Sequence, residues 1–566
     1  MRLVSTVPAL ASVLLHLGEA SPIKETYVRD SNGTRGAAAS ESSICSRIGG
    51  DIIQIGGNAA DAMVATTLCV GVVGMYHSGI GGGGFLLVRN SSGEYEVIDY
   101  RETAPRYADQ DMYKNKPNAS TTGGLAVGIP GELRGLEYLH NRYGKLPWSW
   151  LVAPAERVAR QGFYVNEDLV RYMNNVGGNT SFLVTDPVWA IDFAPNGTLV
   201  QLGDVITRKR YADTLHEISI NGATAFYSGM VADSIVTTIN KTGGILDLTD
   251  LANYQIKSKK ALSINYRDYT LYTTDAPSSG AVMLNILNVM KQYPPEDVKN
   301  RELTSHRLVE AMKFAYGARA DLGDPDFVAG IEELQAQMLS EEKAQAIRGM
   351  IFDNQTQPIS AYDPKLIYTV DSPGTSHVVT SDKSGLTVSS TTTVNLLFGS
   401  KVMDPYSGVI LNNEMDDFSQ PGKPNSFGFE PSPANFIAPG KRPLSSISPI
   451  IVEFTGNRSV WFTTGAAGGS RIISATAQTA FHVLEEGFAM HDAVAAPRLH
   501  DQLMPAVTLV ENGSDQSIFD SLLAKGHNST WQAPGQSAVQ AIMIHANGTF
   551  DAVGETRQVN SGGSSV

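Results

Sequence analysis

The sequence predicts a mixed α/β fold built in layers, and three observations support this prediction. Segments with the hydrophobic period of a helix alternate with strand-like, β-branched segments along the 566 residues. Neither a long Gly/Ser linker nor an internal repeat divides the chain, so we expect one large unit despite a length that would suit three or four domains. Hydrophobic residues make up 42% of the chain and charged residues 18%, which suits a packed globular core.

The charge of the chain narrows the range of partners. Its formal net charge is −14 and its calculated pI is near 5.3. No run of Lys and Arg suited to neutralising phosphates occurs, so we expect no binding to nucleic acid. A small soluble substrate fits the composition better.

The first twenty residues have the pattern of a secretory signal peptide. Arg2 supplies the positive charge, residues 4–17 form a short apolar stretch, and Gly18 and Ala20 are small residues suited to a cleavage site. We therefore predict a signal peptide over residues 1–20 and a secreted, extracellular protein. A membrane-anchored form that keeps an uncleaved signal anchor, or a vacuolar location, is the alternative.

Asn-X-Ser/Thr sequons and a cysteine pair favour the same secretory route. The two cysteines, Cys45 and Cys69, are predicted to form one disulfide, with two buried free thiols as the alternative. The sequons are candidate glycosylation sites on surface loops. They lie at Asn32, Asn90, Asn118, Asn179, Asn196, Asn240, Asn354, Asn457, Asn512, Asn528 and Asn547.

A buried helix followed by a glycine tract is the first distinctive pattern along the chain. Residues 49–73 are densely apolar, Asn58 is a plausible N-cap, and the pattern ends before Gly74. The tract "SGIGGGGF" lacks the Lys-Ser/Thr of a phosphate-binding loop and leads into a strand-like "FLLV". We interpret it as close backbone packing, or a loop beside a site, and not as a nucleotide site.

The Thr- and Ser-rich stretch "GTSHVVTSDKSGLTVSSTTTVN", residues 374–395, resembles a β-hairpin. If its two halves pair through "DKSGL", facing positions have numbers adding to about 768, and Thr375 faces Thr393 with Asn395 as a diagonal neighbour. A slip by one residue would bring Thr392 there instead. Strand propensity alone is the simpler explanation for so much Thr and Ser.

Nucleophilic chemistry would fall to this hairpin, because the chain has no Cys-X-X-Cys, His-Glu-X-X-His or Gly-X-Ser-X-Gly motif. A Thr hydroxyl needs a base, and His377 shares the strand face but could equally be structural. If the Gly374–Thr375 bond were cut, Thr375 would carry a free α-amine, whose unperturbed pKa is about 7.7 to 8.0, and this amine could serve as that base. Gly374 allows the backbone strain that such a cut requires.

Six separated blocks, in order over nearly the whole mature chain, resemble the γ-glutamyltranspeptidase family. The blocks are "SGIGGGGF" (78–85), "DYRETAPR" (99–106), "GTSHV" (374–378), "LNNEMDDFS" (411–419), "PLSSISP" (443–449) and "GAAGGS" (465–470). The resemblance implies a four-layer αββα sandwich of the N-terminal-nucleophile hydrolase type. It also implies a precursor that cuts itself between Gly374 and Thr375, giving a large subunit of residues 21–374 and a small subunit of residues 375–566 in one intertwined catalytic unit.

The same resemblance assigns the reacting groups. Thr375 would be the nucleophile of both autocleavage and catalysis, with Thr393 positioning it. Gly468 and Gly469, at a strand–turn–helix junction, would supply the backbone donors of an oxyanion hole. The family requires no metal and no cofactor, and we expect neither.

The resemblance also assigns the residues that bind the substrate. Arg101 would pair with the α-carboxylate of a γ-glutamyl group, aided by Ser445 and Ser446. The remaining family positions would accept hydrogen bonds from its α-ammonium group; they are Asn395, Glu414 and Asp417. Viewed without the family, Arg101 would be a surface or structural ion pair, and the acidic block a solvated loop.

These residues predict a self-processing γ-glutamyltransferase and glutathione hydrolase. Its partners would be glutathione and other γ-glutamyl compounds, with water or an amino-acid or dipeptide acceptor, and its two processed subunits would form a heterodimer. The nearer rival is another amidase of the same fold, such as a β-lactam side-chain acylase. The more distant rival is a secreted glycoprotein without turnover. The Pro-rich stretch 421–443 could border the pocket or be an ordinary surface loop.

Overall fold

The computed structural model describes Pro22 and residues 33–368, 374–423 and 430–566. The predicted signal peptide and the sequon at Asn32 lie outside the described residues. Within the described residues, none of the helices is both long enough and apolar enough to span a bilayer.

Twenty strands, β1 to β20, are found in the described part of the chain. In order they are Gly36–Ser40, Gly83–Arg89, Tyr95–Asp99, Phe163–Tyr164, Val205–Ile206, Lys257–Lys259, Leu262–Tyr266, Tyr269–Thr273, Ile367–Tyr368, Ser376–Asp382, Thr387–Thr393, Glu430–Pro431, Ile450–Phe454, Val460–Ala467, Leu499–His500, Thr508–Glu511, Ser529–Gln532, Ala538–Ile544, Phe550–Val553 and Gly562–Ser565.

Nineteen α-helices, α1 to α19, accompany these strands in the same described residues. In order they are Ser43–Gln54, Ala59–Val73, Glu132–Tyr143, Trp148–Gln161, Glu167–Asn175, Phe182–Thr185, Pro187–Phe193, Lys209–Asn221, Thr224–Tyr227, Gly229–Lys241, Leu248–Asn253, Gly280–Met290, Arg301–Arg319, Ile331–Leu339, Glu341–Met350, Ile359–Tyr362, Arg471–Leu484, Met490–Ala495 and Gln516–Ala524.

Two antiparallel sheets form the centre of the protein. The first has seven strands in the order β20-β1-β10-β11-β2-β3-β6, and the second has six in the order β19-β18-β14-β13-β8-β7. Side chains on successive strand residues point to opposite faces, so each sheet can pack on both sides. Val379 of β10 and Ile542 of β18 belong to one apolar cluster between the two sheets.

Helices cover the outer face of each sheet. One core cluster joins the helices α1 to α4 to Val88 and Val378 of the first sheet. A second core cluster joins α12, α13 and α17 to Ile450 and Phe462 of the second sheet. The layers are therefore helix, sheet, sheet and helix, which confirms the predicted αββα sandwich.

Local sequence explains the helix that precedes the glycine tract. The Asn58 side chain accepts a hydrogen bond from the Asp61 N–H and the Asp61 carboxylate accepts one from the Asn58 N–H, which is a capping box at the start of α2. All fifteen residues of α2 are buried, in keeping with its apolar composition. The predicted stretch began too early, because residues 49–54 belong to the separate helix α1.

The two cysteines join these helices. Cys45 of α1 and Cys69 of α2 form a disulfide with their Cα atoms 5.3 Å apart, so the disulfide prediction is confirmed. The bridge ties together two helices that lie directly behind the first sheet.

Strands from both sides of Gly374 are interleaved in each sheet. In the first sheet, β10 pairs with β1 and β11 pairs with β2. In the second sheet, β13 pairs with β8. Neither part of the chain could therefore complete a sheet by itself.

Candidate active site

The Thr-rich hairpin has the predicted register. Ser376 faces Thr392, and every other pair of the β10–β11 ladder also has numbers that add to 768. Thr375 directly precedes β10 and its hydroxyl oxygen lies 3.5 Å from that of Thr393 at the end of β11. The pairing of these two hydroxyl groups is thus confirmed, and the slipped alternative is wrong.

The Gly374–Thr375 peptide lies at the start of this hairpin in a conformation that only glycine suits. Gly374 has φ +145°, and a Cβ atom there would lie 2.2 Å from the carbonyl oxygen of Asn395. The Thr393 hydroxyl donates a hydrogen bond of 2.7 Å to the Gly374 carbonyl oxygen. The Thr375 hydroxyl is also hydrogen-bonded to that oxygen. One carbonyl therefore has two hydroxyl groups directed at it.

Backbone packing against the glycine tract fixes the second strand of the hairpin. The tract continues into β2, which pairs with β11. A Cβ atom on Gly82 would lie 1.9 Å from the carbonyl oxygen of Thr393, and one on Gly84 would lie 2.1 Å from that of Thr391. The glycines are thus explained by close backbone approach beside the site, as the sequence indicated.

A buried cluster of charges lies near this hairpin. The Arg101 guanidinium group forms ion pairs with the carboxylates of Glu414 and Asp417, which belong to one 3₁₀ turn, Glu414–Asp417. Arg101 is 1% exposed. Glu102 lies 3.8 Å from the same guanidinium group. Three acidic side chains thus surround a single Arg side chain.

These charges are not fully satisfied within the described residues. Both carboxyl oxygens of Glu102 and one of Glu414 are buried there without a hydrogen-bond partner. Burial raises the pKa of Glu102 to about 8, despite the nearby Arg101 guanidinium group. Buried polar groups normally find partners, so unsatisfied carboxyl oxygens indicate that this cluster is suited to a polar ligand.

Ser445 and Ser446 lie beside these charges and are held by residues that the sequence analysis missed. The Ser279 hydroxyl donates a hydrogen bond of 2.6 Å to the Ser445 carbonyl oxygen. The Arg319 guanidinium group, 3% exposed, donates to the hydroxyls of Ser446 at 3.1 Å and Ser279 at 3.0 Å. Arg319 therefore holds Ser446 directly and Ser445 through Ser279.

Gly468 and Gly469 form the turn between β14 and α17. Their φ angles are +126° and +61°, and a Cβ atom on Gly468 would lie 2.6 Å from the carbonyl oxygen of Gln536. The turn leads directly into a helix of fourteen residues, whose N-terminal end favours negative charge. The predicted strand, turn and helix are thus confirmed.

One cavity collects nearly all the predicted residues. It encloses about 340 Å³ of space, part of it open to solvent. The predicted residues in its wall are Thr375, Thr393, Asn395, Arg101, Glu414, Asp417, Ser445, Ser446 and Gly469. Gly468 lies instead in the wall of an adjoining cavity, together with Gly374 and Thr375.

Two predictions that were left open have structural answers. His377 is buried between the sheets, with its Nδ1 2.8 Å from the Thr391 hydroxyl, and burial lowers its pKa to about 3. It is a structural residue. In the Pro-rich stretch, Asn435 donates a hydrogen bond to the Asp417 carbonyl and accepts one from the Leu444 N–H, so this part of the stretch borders the cavity.

The other residues that support the cavity fall into two groups, those inside the quoted sequence blocks and those outside them. Glu102 and Asn413 lie inside blocks already quoted, beside residues that were assigned. Asn413 accepts a hydrogen bond from the Asn395 side chain through its carbonyl oxygen. Arg319 and Ser279 belong to no recognised block, so only the tertiary structure brings them to the cavity.

Comparison with known proteins identifies the family. The family model described as Gamma-glutamyltranspeptidase matches residues 45–564. The chain therefore belongs to the γ-glutamyltranspeptidase family. Among its relatives, the glutathione hydrolase proenzyme of Arthroderma benhamiae is 48% identical, with 100% of this chain and 99% of the relative covered.

Solved structures support this membership and the fold. The γ-glutamyltranspeptidase of Helicobacter pylori is 32% identical, with a TM-score of 0.53 over 56% of this chain and 92% of that chain. The cephalosporin acylase of Bacillus halodurans is 25% identical, with a TM-score of 0.81 over 98% of this chain and 99% of that chain. The fold is that of the N-terminal-nucleophile hydrolases.

Proposed function

We propose that this protein is a self-processing γ-glutamyltransferase and glutathione hydrolase. One observation carries the proposal: the Thr375 hydroxyl opens onto a cavity that also contains Arg101 paired with Glu414 and Asp417. A γ-glutamyl group carries an α-carboxylate, which complements the Arg101 cation, and an α-ammonium group, which complements the Glu414 and Asp417 carboxylates. Family membership and the glutathione hydrolase relatives support the same assignment.

Self-processing begins at the Gly374 carbonyl carbon. The Thr375 hydroxyl oxygen attacks this carbon, the C–N bond to Thr375 breaks, and an ester replaces the amide while the nitrogen gains the hydroxyl proton. Water then hydrolyses the ester, which leaves a carboxylate on Gly374 and a free α-amine on Thr375. The hydrogen bond from Thr393 to the Gly374 oxygen stabilises the negative charge that develops there.

The free amine then serves the transfer reaction. An unperturbed α-amine has a pKa of about 7.7 to 8.0, so this amine can accept the proton of its own hydroxyl group while the oxygen attacks the γ-carbonyl carbon. The C–N bond of the donor breaks, the leaving amine takes that proton, and a γ-glutamyl ester of Thr375 remains. Water or an acceptor amine resolves the ester and returns a proton to the Thr375 oxygen.

Substrate binding would exchange one set of ion pairs for another. The α-carboxylate of the donor pairs with the guanidinium group of Arg101. The α-ammonium group of the donor pairs with the carboxylates of Glu414 and Asp417. Because both partners are already buried and paired, the exchange avoids the cost of burying a single charge. Asn395, Ser445 and Ser446 add hydrogen bonds, and the N–H groups of Gly468 and Gly469 stabilise the oxyanion.

We also propose that the two processed parts remain together as a heterodimer and that the protein is secreted. Interleaved strands from both sides of Gly374 support the heterodimer. The N-terminal signal pattern and the disulfide support secretion. Ten sequon asparagines lie in described residues, of which nine are exposed and Asn90 is half-buried, as glycan acceptors require.

The cephalosporin acylase likeness favours one second candidate, an amidase acting on other side-chain acyl groups. Such a substrate needs a hydroxyl nucleophile but no α-ammonium group. A paired comparison of a γ-glutamyl anilide with the matching glutaryl anilide separates the two. We expect cleavage of the γ-glutamyl compound at least a hundredfold faster, since the glutaryl compound leaves Glu414 and Asp417 without a cation.

N-terminal sequencing of the purified, deglycosylated protein, beside the variant Thr375→Ala, tests the proposed function. We expect two fragments in the wild type, the smaller beginning Thr-Ser-His-Val-Val, and one uncut chain in the variant. Only the processed wild type should release the amine from a γ-glutamyl anilide. A folded wild-type chain that stays uncut and inactive would contradict the proposal.

A further inference from the structure

A buried lysine, Lys441, lies at the end of the loop that borders the γ-glutamyl cavity, which we call the donor cavity. Lys441 is 4% exposed, and its ammonium group donates hydrogen bonds of 2.7 Å to the Ala434 carbonyl oxygen and 2.9 Å to the Phe436 carbonyl oxygen. Burial lowers the pKa of Lys441 to about 8, and the Asp324 carboxylate only partly opposes this shift. The ammonium group is thus buried at a cost in free energy, and what it provides is its contact with two backbone carbonyl groups.

The two carbonyl groups that Lys441 binds flank Asn435. This asparagine is 1% exposed. Its side chain donates a hydrogen bond of 2.7 Å to the Asp417 carbonyl oxygen and accepts one of 2.9 Å from the Leu444 N–H. A single amide group therefore joins the turn that carries the acidic side chains to the segment that carries the serine pair.

The backbone of Lys441 binds a third segment of the donor cavity. Its carbonyl oxygen accepts a hydrogen bond of 2.9 Å from the Ala104 N–H, and the Gly440 N–H donates one of 2.9 Å to the Ala104 carbonyl oxygen. Ala104 belongs to the same sequence block as Arg101. Lys441 therefore contacts, directly or through Asn435, the segments that bind both charges of a γ-glutamyl group.

Lys441 acts on these segments without reaching the ligand. Neither Lys441 nor Asn435 lies in the described wall of the donor cavity. A γ-glutamyl donor has its α-ammonium and α-carboxylate groups on one carbon atom, so the protein groups that bind them must lie at a fixed separation. That separation depends on the Asn435 amide, whose position depends in turn on the Lys441 ammonium group.

We propose that Lys441 is a positioning residue for the donor. Through Asn435 it fixes the spacing between the groups that bind the α-ammonium and those that bind the α-carboxylate, and so it sets the selectivity for a γ-glutamyl group. This inference rests on the proposed function. Thr375 and Thr393 belong to a different set of hydrogen bonds, so self-processing and the chemical step should be kept when Lys441 is changed.

The test compares donor kinetics in Lys441→Met, which removes the charge but keeps a long side chain. With a γ-glutamyl anilide, we expect the KM to rise about tenfold while kcat changes by less than about threefold, because binding is weakened and the chemical step is not. The preference for this compound over the matching glutaryl anilide should fall by about tenfold, since the glutaryl compound has no α-ammonium group to misplace. Lys441→Arg keeps the charge and should recover part of both values.

A cycle of single and double variants separates positioning from a general loss of structure. Asn435→Ala breaks the same connection while keeping the Lys441 charge, so its donor KM should rise by about as much as that of Lys441→Met. The double variant should show no further rise, because both changes act on one connection. Effects that multiply would overturn the proposal. If Lys441→Met does not fold, an unchanged donor KM in Asn435→Ala overturns it and a raised one supports it.

Controls separate the possible failures. Lys423→Met removes an exposed lysine of the same Pro-rich stretch, outside the described wall of the donor cavity, and should keep the wild-type donor KM. N-terminal sequencing checks that the enzymes compared are cut before Thr375. A processed Lys441→Met variant with the wild-type donor KM would overturn this inference and leave the proposed function intact. A wild type that cannot cleave the γ-glutamyl anilide would overturn both.

Discussion

Two buried clusters of charged and polar side chains differ in how completely their hydrogen bonds are satisfied. The first surrounds Arg101 at the donor cavity and includes Glu102 and Glu414, whose buried oxygens are partly unpaired within the described residues. The second lies between α13 and the segment after α19. Its members His306, Glu310 and His527 have the composition of a metal site, with their ligand atoms within 4.8 Å of one another.

The second cluster is a closed chain of hydrogen bonds. The Nε2 of His306 lies 2.7 Å from the Phe352 carbonyl oxygen, which only accepts, so this nitrogen carries the proton. The Nδ1 of His306 then accepts from the Nε2–H of His527 at 2.7 Å. The Nδ1 of His527 accepts from the Lys313 ammonium group at 3.0 Å. A metal ion bound here would have to break these hydrogen bonds, and it would lie beside the positive charge of Lys313.

The difference teaches that composition is a weaker guide to function than unsatisfied hydrogen bonds. The histidine cluster has the residue types of a metal site, yet its ring nitrogens are already hydrogen-bonded to one another and to neighbouring groups. The Arg101 cluster resembles an ordinary ion-pair network in sequence, yet it keeps buried carboxyl oxygens for which a ligand can supply donors. At the Arg101 cluster, unpaired oxygens coincide with a cavity, and the two observations together point to ligand binding.

Removal of Arg101 should produce the largest effect. Arg101→Gln leaves buried carboxylates without their cation, so we expect a loss of about 3 to 5 kcal/mol in the free energy of unfolding. We also expect loss of γ-glutamyl cleavage. Chemical denaturation of the uncut Thr375→Ala chain, with and without this change, measures stability on a single polypeptide.

Arg101→Lys is the matched control for this change. It keeps the charge but not the planar fork, so stability should recover in large part while the KM for the donor remains raised by tenfold or more. Equal stability of Arg101→Gln and the parent would show that the carboxylates do not depend on Arg101.

Sequence patterns predicted more of the active site's backbone than of its supporting side chains. The hairpin register followed from alternating strand residues and a short turn, and the Gly468–Gly469 turn from a strand, two glycines and a helix start. The order and pairing of thirteen strands in two sheets could not be read from such local patterns, because long-range pairing is set by tertiary packing. The four-layer fold came from the family resemblance.

The residues that were missed show the same limit. Arg319 reaches Ser446 from a helix 127 positions earlier in the chain, and nothing in the sequence near either residue indicates the contact. The capping box at Asn58 and Asp61 was predictable only in part, since the two adjacent helices α1 and α2 were taken as one.

Substitution of Glu102 should change the free energy of unfolding by less than substitution of Arg101, and in the opposite direction. Burial raises its pKa to about 8, so between pH 4.5 and 8 the folded state binds a proton that the unfolded state has released, and stability is lost as pH rises. Glu102→Gln removes this penalty, so we expect a gain of up to about 3 kcal/mol in the free energy of unfolding at pH 7. The gain should vanish below about pH 4.5.

Asp99 provides the contrasting control, because it is equally buried and close by. Its carboxylate pairs with Arg442 at 3.1 Å and Lys259 at 3.0 Å, and these cations hold its pKa below the usual range. Asp99→Asn should therefore destabilise the protein at pH 7. If Glu102→Gln also destabilises it there, Glu102 is ionised and satisfied in the folded protein.

The cluster of His306, Glu310 and His527 should have the smallest effect on the free energy of unfolding at neutral pH. Its effect should grow as the pH falls. Burial lowers the pKa of His527 to about 2 and lowers that of His306, so both are neutral when folded, with Lys313 and Glu310 as their charged neighbours. The unfolded state binds a proton below about pH 6.5, so stability present above that pH is lost as pH falls. Each histidine adds about 1.4 kcal/mol per pH unit to the slope.

His527→Gln should remove about that share of the slope between pH 6 and 5 in the Thr375→Ala chain. His216→Gln is the control, since this exposed histidine of α8 lies outside the buried cluster. An unaltered slope in His527→Gln would mean that the chain of hydrogen bonds admits a proton, and the contrast with the Arg101 cluster would fail. A reduced slope would show that burial, together with the Lys313 cation, keeps this cluster unprotonated in the folded protein.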